Sequence, residues 1–241
     1  MPNDVNYAEQ YQRALQQRFA QGLSFTELYA TPNNNSIKWV NAKTVQIPRI
    51  TVGGFQDVDR DVVGSFTRRA DNDFETKTLQ HDREFKTLVD PQDVDESNMA
   101  LSIANITRVF NDEQKIPEMD KYMASKLYAE FTGFGKTANT EPLTVENILS
   151  KFDDFMVEMD DAEVPQEGRI LYVTPQVNKL LKQAQELQRM NILTNSQSAI
   201  NRNIYSLDDV TVKRVPSSRM KTAHNFTDGA VPAAGAEQIN M

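Results

Sequence analysis

Phe74-Glu-Thr-Lys-Thr-Leu-Gln-His-Asp-Arg-Glu-Phe-Lys-Thr-Leu-Val89 has the β-forming residues of an extended segment but little of the apolar surface that would fix it to a core. Phe74, Leu79, Phe85 and Leu88 stand among Lys77, His81, Asp82, Arg83, Glu84 and Lys86. Upstream, Ile37 to Val40 and Thr44 to Ile50 are also β-prone, and Gly53 and Gly54 mark a break between the pieces. The pattern predicts a hairpin ribbon. A two-stranded ribbon alone is marginal in water, so one this polar needs another surface to lie on. Along it Arg60, Arg68, Arg69, Lys77, Arg83 and Lys86 interleave with Asp57, Asp59, Asp61, Asp71, Asp73, Glu75, Asp82 and Glu84. Mixed signs suit a complementary partner surface, on which charge sets register more than affinity. A solvated hairpin would carry the same residues, and their pattern leaves both readings open.

Downstream, Asp93 followed by Glu96 has capping-box spacing, and Met99, Ile103, Ile106 and Phe110 recur at helical intervals. The pattern predicts a stop near Asn111 and a restart at Pro117, with Met119, Met123, Leu127 and Phe131 on one face up to Gly133 and Gly135. A third helix is expected from Thr144, with Val145, Ile148, Leu149, Phe152, Phe155, Met156 and Met159 inward and its acidic residues outward. Arg169 to Val173 reads as a strand running into Thr174 as N-cap and Pro175 as first helical residue. The helix so opened buries Val177, Leu180, Leu181, Ala184 and Leu187 by spacing. Val210, Val212 and Val215 alternate with polar residues in a half-exposed strand, and Thr222 to Ala236 reads as a loop. Upstream of the ribbon, Tyr7, Tyr11, Leu15 and Phe19 form a narrow helical stripe, cut off from the rest by Pro32 and the turn-forming run Asn33 to Ser36. That segment is expected to be an arm.

The 241 residues are 39% hydrophobic and 25% charged, which is the balance of a globular chain. There is no Cys, so disulfides and thiolate metal sites are excluded. A net charge of −8 opposes sequence-specific reading of duplex DNA. Met1 to Ala20 carries Asp4, Glu9, Arg13 and Arg18 without an apolar centre, so neither a signal peptide nor a membrane span is expected.

Chemistry-bearing motifs are weak. Gly133-Phe-Gly-Lys-Thr137 ends like a phosphate-binding loop, yet Glu130 stands where the first glycine belongs and a helix precedes it, so a glycine helix stop is the better reading. Asp153, Asp154, Glu158, Asp160, Asp161 and Glu163 could supply carboxylates for a hard cation or for acid–base work, but they lie along one amphipathic helix and read as its solvated face. His81 and His224 are distant in sequence and lack any nucleophile motif, so both are expected to be surface residues. The methionines read as core filler. No catalytic, cofactor-binding or metal-ligating residues are expected.

In the order arm, polar ribbon, long helix, helix–strand–helix and closing strand, the chain resembles the major capsid protein of tailed bacteriophages, the Hong Kong 97-type shell fold. The resemblance is carried by Asp95 to Phe131, which looks like the spine helix and its continuation. It also rests on Gly168-Arg-Ile-Leu-Tyr-Val-Thr-Pro-Gln-Val-Asn-Lys-Leu-Leu181 and on Tyr205-Ser-Leu-Asp-Asp-Val-Thr-Val-Lys-Arg-Val-Pro-Ser-Ser-Arg-Met220. It implies an α+β fold with an N-terminal arm over 1–36, an extended loop over 37–90 and a spine helix with peripheral domain over 91–135. An axial domain over 136–221 and a C-terminal loop over 222–241 would follow. Relatives continue past such a loop into a further strand, which implies a shortened chain or an unusually short member. The resemblance further implies a coat protein without enzymatic activity or cofactor, self-assembled into hexamers and pentamers of an icosahedral head around double-stranded DNA. Portal and scaffolding proteins would be partners, DNA would be enclosed without sequence-specific binding, no membrane would be involved, and assembly would occur in the host bacterial cytoplasm. Arg68, Arg69, Asp73, Glu75, Lys77, Arg83, Glu84 and Lys86 would then meet a neighbouring subunit. Lys77 and Lys86 are loop lysines, but no local feature selects a Lys–Asn cross-linking pair, so none is expected. The alternatives are an encapsulin-like compartment shell, a soluble hydrolase using Asp153, Asp154 and Asp160, and a partner-binding adaptor that forms no shell.

Overall fold

The computed structural model describes residues 21–30, 38–55, 69–96, 102–184, 204–227 and 229–241. The chain is of mixed α+β class and divides into two compact units, Thr26–Asp90 and the combination of Met1–Phe25 with Pro91–Met241. The predicted N-terminal helical stripe, Arg60, Arg68, Met99 and Leu187 lie outside the described residues.

In the unit Thr26–Asp90, a single helical turn, α1 (Thr26–Tyr29), precedes three antiparallel strands in the order β1-β2-β3. These are β1 (Lys38–Asn41), β2 (Thr44–Val52) and β3 (Ala70–Thr78). β2 and β3 pair in unbroken register from Thr44 opposite Thr78 to Val52 opposite Ala70. The sequence reading carries the second strand on to Val89, but β3 ends at Thr78. Its ladder partner runs out there: the last ladder-like bond is Leu79 N–H to the Lys43 carbonyl at 2.7 Å, and beyond it β2 has already turned into β1. Residues 79–90 are irregular.

In the other unit, α2 (Pro91–Glu96) opens two residues earlier than the capping-box reading, so Asp93 is inside the helix. Pro91 has the preset φ of a first helical residue and takes that place. The predicted break at Asn111 does not occur. α3 (Ile103–Phe110) continues through a π-helical segment, Asn111–Lys115, into α4 (Ile116–Gly133). Ile116 N–H donates to the Asn111 carbonyl five residues back, and this wider turn accommodates Pro117, which lacks an N–H and would crowd the carbonyl of an ordinary preceding turn. α4 stops as its glycines predict, with Gly135 at φ +72° and its N–H donating to the Thr132 carbonyl at 3.0 Å.

The core lies further on. α5 (Ile148–Asp161) starts after Thr144 and Asn147 cap one another: Thr144 N–H donates to Asn147 Oδ1 at 2.7 Å, and Asn147 N–H to Thr144 Oγ1 at 3.3 Å. β4 (Ile170–Val173) leads into α6 (Pro175–Gln183), whose N-cap Thr174 accepts the Val177 N–H. β5 (Ser206–Leu207) and β6 (Val210–Arg214) complete a sheet in the order β4-β6-β5. β4 runs parallel to β6, Ile170 facing Thr211 and Val173 facing Arg214, while β5 is antiparallel to β6. One cluster joins Ile148 and Phe152 of α5, Val177 and Leu181 of α6, Ala184, and Val173, Leu207, Val210 and Val212 of the sheet. Full burial of each larger apolar side chain here contributes roughly 1.5–3 kcal/mol.

The segment read as a C-terminal loop forms a small ribbon of β7 (His224–Asn225) and β8 (Val231–Pro232), followed by a bridge between Lys221 and Gln238. The chain end is fastened where the Asn240 carbonyl accepts the Thr174 N–H at 3.1 Å.

Candidate functional site

Strand parity divides the predicted contact residues. Directly opposed residues of an antiparallel pair share a face, and alternate residues along each strand follow them. Val45, Ile47, Arg49 and Thr51 therefore share one face with Lys77, Glu75, Asp73 and Asp71, their register partners. Trp39 of β1, opposite Val45, is on the same side. The other face holds Gln46, Pro48, Ile50 and Val52 with Thr76, Phe74, Asn72 and Ala70. One face is thus charged along most of its length, and the other has an apolar stripe of Pro48, Ile50, Val52 and Phe74.

That stripe is bare. Ile50 is 72% exposed, Val52 70% and Phe74 47%. Of the three strands' side chains, Val45 alone is buried, and all nine residues of β3 are exposed. Phe55, Leu79, Phe85 and Leu88 of the same unit are exposed as well.

Three of the expected contact residues, Asp73, Glu75 and Lys77, come together on the charged face. Lys77 Nζ lies 2.6 Å from Glu75 Oε1, and this bond, with the lysine's charge, holds the Glu75 carboxyl below its ordinary 4.5. Arg49, one register step away opposite Asp73, pulls it the same way more weakly. Arg69 sits at the far end of the ladder, where its Nη1 donates to the Gly54 carbonyl at 2.9 Å and its own carbonyl accepts the Gly53 N–H. Arg83, Glu84 and Lys86 are on the irregular segment after β3, Lys86 donating to Glu84 at 2.7 Å. Arg68 lies outside the described residues. Exposed ion pairs of this kind contribute little stability. What they do is hold opposite charges in a fixed mosaic on one face while the other face stays apolar. The stripe was not singled out in the sequence: Pro48, Ile50 and Val52 share a face by alternation along β2, and the pairing of Pro48 with Phe74 adds the ring from β3.

Asp160 of the acidic helix faces Arg169, whose Nη2 donates to Asp160 Oδ1 and to the Val164 carbonyl at 2.6 Å each. Arg169 Nε donates to the Pro165 carbonyl at 3.0 Å, so the buried guanidinium ties together the turn between α5 and β4. Asp153, Asp154, Glu158, Asp161 and Glu163 are exposed. Among the described residues no three His, Cys, Asp or Glu side chains are grouped as a metal site.

His224 departs from its expected surface position. It is buried, 6.0 Å from the Phe226 ring, and neither ring nitrogen has a well-formed hydrogen bond. Burial pushes its pKa below the ordinary 6.5, a weak backbone interaction with Ser218 opposes this, and Lys121 and Lys221 reinforce it. Nothing nucleophilic was signalled near it in the sequence. Among the described residues no helix is long and apolar enough to cross a membrane.

No protein-family model matches the chain. No curated protein matches it. A solved structure from Mycobacterium phage Che8 is similar at 15% identity, covering 80% of this chain and 69% of that chain with a TM-score of 0.43.

Proposed function

We propose that this chain is a major capsid protein of the Hong Kong 97-type shell fold, which assembles into the icosahedral head around the double-stranded DNA of a tailed bacteriophage. The observation that carries the reading is the sheet β1-β2-β3, which has one buried side chain and leaves Ile50, Val52 and Phe74 in solvent. A sheet gains its stability by burying a face. Here the missing cover is another copy, onto which the apolar stripe docks while Asp73, Glu75 and Lys77 set register from the opposite face. The long helix from Ile103 through Gly133 serves as the spine, and the cluster around Phe152 as the axial domain.

In this reading the protein is not an enzyme, and its mechanism is interface physics. Each copy donates its loop and receives another, so contacts of the order of 2,000–5,000 Å² accumulate per subunit from individually modest patches. Closed symmetry makes the shell firmer than any single contact. Hexamers and pentamers of the chain, with portal and scaffolding proteins, are the partners. DNA is enclosed without being read, and the net charge of −8 limits adhesion of packed phosphate to the wall.

Electron microscopy of the purified full-length protein tests the proposal. Closed icosahedral particles or flat hexameric arrays are expected. A stable monomer at high concentration, with residues 38–90 resistant to protease, would overturn it. Particles filled with a cargo protein instead of a genome would transfer the shell to an encapsulin-like compartment.

A further inference from the structure

Apart from its apolar core, the larger unit holds a buried ion pair that grips a peptide. Asp120 of α4 is fully buried and Arg219 nearly so, and Arg219 Nη1 donates to Asp120 Oδ2 at 2.8 Å. The remaining hydrogen bonds of both groups go to the main chain of Gln21–Phe25. Asp120 accepts the Ser24 N–H at 3.0 Å on both carboxylate oxygens, and the Phe25 N–H at 3.2 Å. Arg219 donates from Nη1 to the Gly22 carbonyl at 3.0 Å and from Nη2 to the Gln21 carbonyl at 3.2 Å. The carboxylate thus takes two consecutive donors and the guanidinium serves two consecutive acceptors, an arrangement suited to charge-assisted bonds with a main chain that bends at Ser24, so that successive groups turn to the same side.

Among the segment's side chains, Phe25 is the one buried apolar group. Phe25 is 2% exposed and its ring lies 4.7 Å from that of Tyr172 on β4. Gln21 and Gly22 are exposed, and Ser24 Oγ makes no hydrogen bond. Open hollows of about 350 Å³ and about 620 Å³ border the segment, the first against Pro117, Glu118 and Lys121, the second against Pro175, Asn178 and Val212. The segment is therefore not held by packing on those sides.

We propose that Asp120, Arg219 and Tyr172 form a peptide-binding seat that recognises a bent main chain whose second bonded amide belongs to an aromatic residue. Its occupant is the chain's own Gln21–Phe25, seated as a strap. The seat reads backbone and one ring, so it tolerates a change at Ser24, whose hydroxyl makes no hydrogen bond, but not at Phe25. This holds whether or not the chain builds a shell.

Hydrogen exchange on the full-length protein tests it. The Ser24 and Phe25 amides are expected to be protected in the wild type and to exchange about tenfold faster or more in Asp120→Asn, while Val173 and Leu181 in the core keep their rates. Ser24→Ala should leave the Phe25 amide unchanged. Wild-type strap amides that exchange freely, or equal protection in Asp120→Asn, would overturn the proposal. Should Asp120→Asn fail to fold, Phe25→Ala supplies the second test. A capped peptide of sequence Gln-Gly-Leu-Ser-Phe, titrated into the Phe25→Ala protein, should saturably shift the Tyr172 resonances and leave the wild type, whose seat is filled, unaffected. No shift in Phe25→Ala, or equal shifts in both proteins, would overturn it.

Discussion

Replacing Ile50 and Val52 together by Thr should weaken assembly without weakening the fold. Thr retains the β-branch that suits a strand, so backbone preference is conserved while apolar carbon is removed. The two residues are 72% and 70% exposed in the single chain, so nearly three-quarters of each side chain remains for a partner to cover. At roughly 0.8 kcal/mol per buried methylene, and with a hydroxyl introduced at each site, the pair removes about 2 kcal/mol of docking energy per copy. Each 1.4 kcal/mol is a factor of ten, so the concentration needed for assembly should rise about 30-fold. Light scattering across a dilution series measures that threshold. Urea unfolding of the unassembled chain supplies the control, and it should move by no more than about 0.5 kcal/mol, as surface substitutions do. Assembly at the wild-type threshold would show that the stripe is not an interface. A large loss of monomer stability would show that the strand already has a buried role within its own chain.

Other expectations concern the larger unit. Arg169→Ala should cost about 2–3 kcal/mol in urea unfolding, because it strips a buried guanidinium from the Val164 and Pro165 carbonyls and from Asp160, whereas Asp160→Asn, at a half-exposed partner, should cost under about 1 kcal/mol. Phe152→Ala, at a side chain 1% exposed, should cost about 3–5 kcal/mol; a loss near zero would mean that α5 is not packed as described. His224 should make folding sensitive to acid. Its folded pKa is depressed below 6.5, so the unfolded chain takes up a proton first, and its contribution, complete above the unfolded value, is lost as pH falls through the folded one. Unfolding free energies at pH 7.5 and about pH 5.5 should therefore differ more in the wild type than in His224→Gln, and equal differences would remove His224 from the effect.

Local chemistry determined a good deal from the sequence alone. Thr174 and Pro175 announce α6 because capping and a preset φ act within one turn, and Gly133 and Gly135 announce the end of α4 for a similar reason. Alternation in Val210 and Val212 predicts which side of β6 is buried, since strand parity is a property of the chain itself. Asp73, Glu75 and Lys77 share a face by that parity too.

Tertiary structure decided what depends on a distant partner. β3 stops at Thr78 because its neighbour turns away, and Ile50 meets Asn72 through a register that no local pattern states. The face of α4 expected inward, with Leu127 and Phe131, is partly exposed, while Asp120 is buried, because Arg219 and the Ser24 and Phe25 amides arrive from 95 to 99 residues away. A carboxylate can be buried when charge and hydrogen bonds meet it there, and those partners are assembled only by the fold. His224 is buried without such partners, on β7 of a ribbon whose two strands are two residues each and too short to show a period in the sequence.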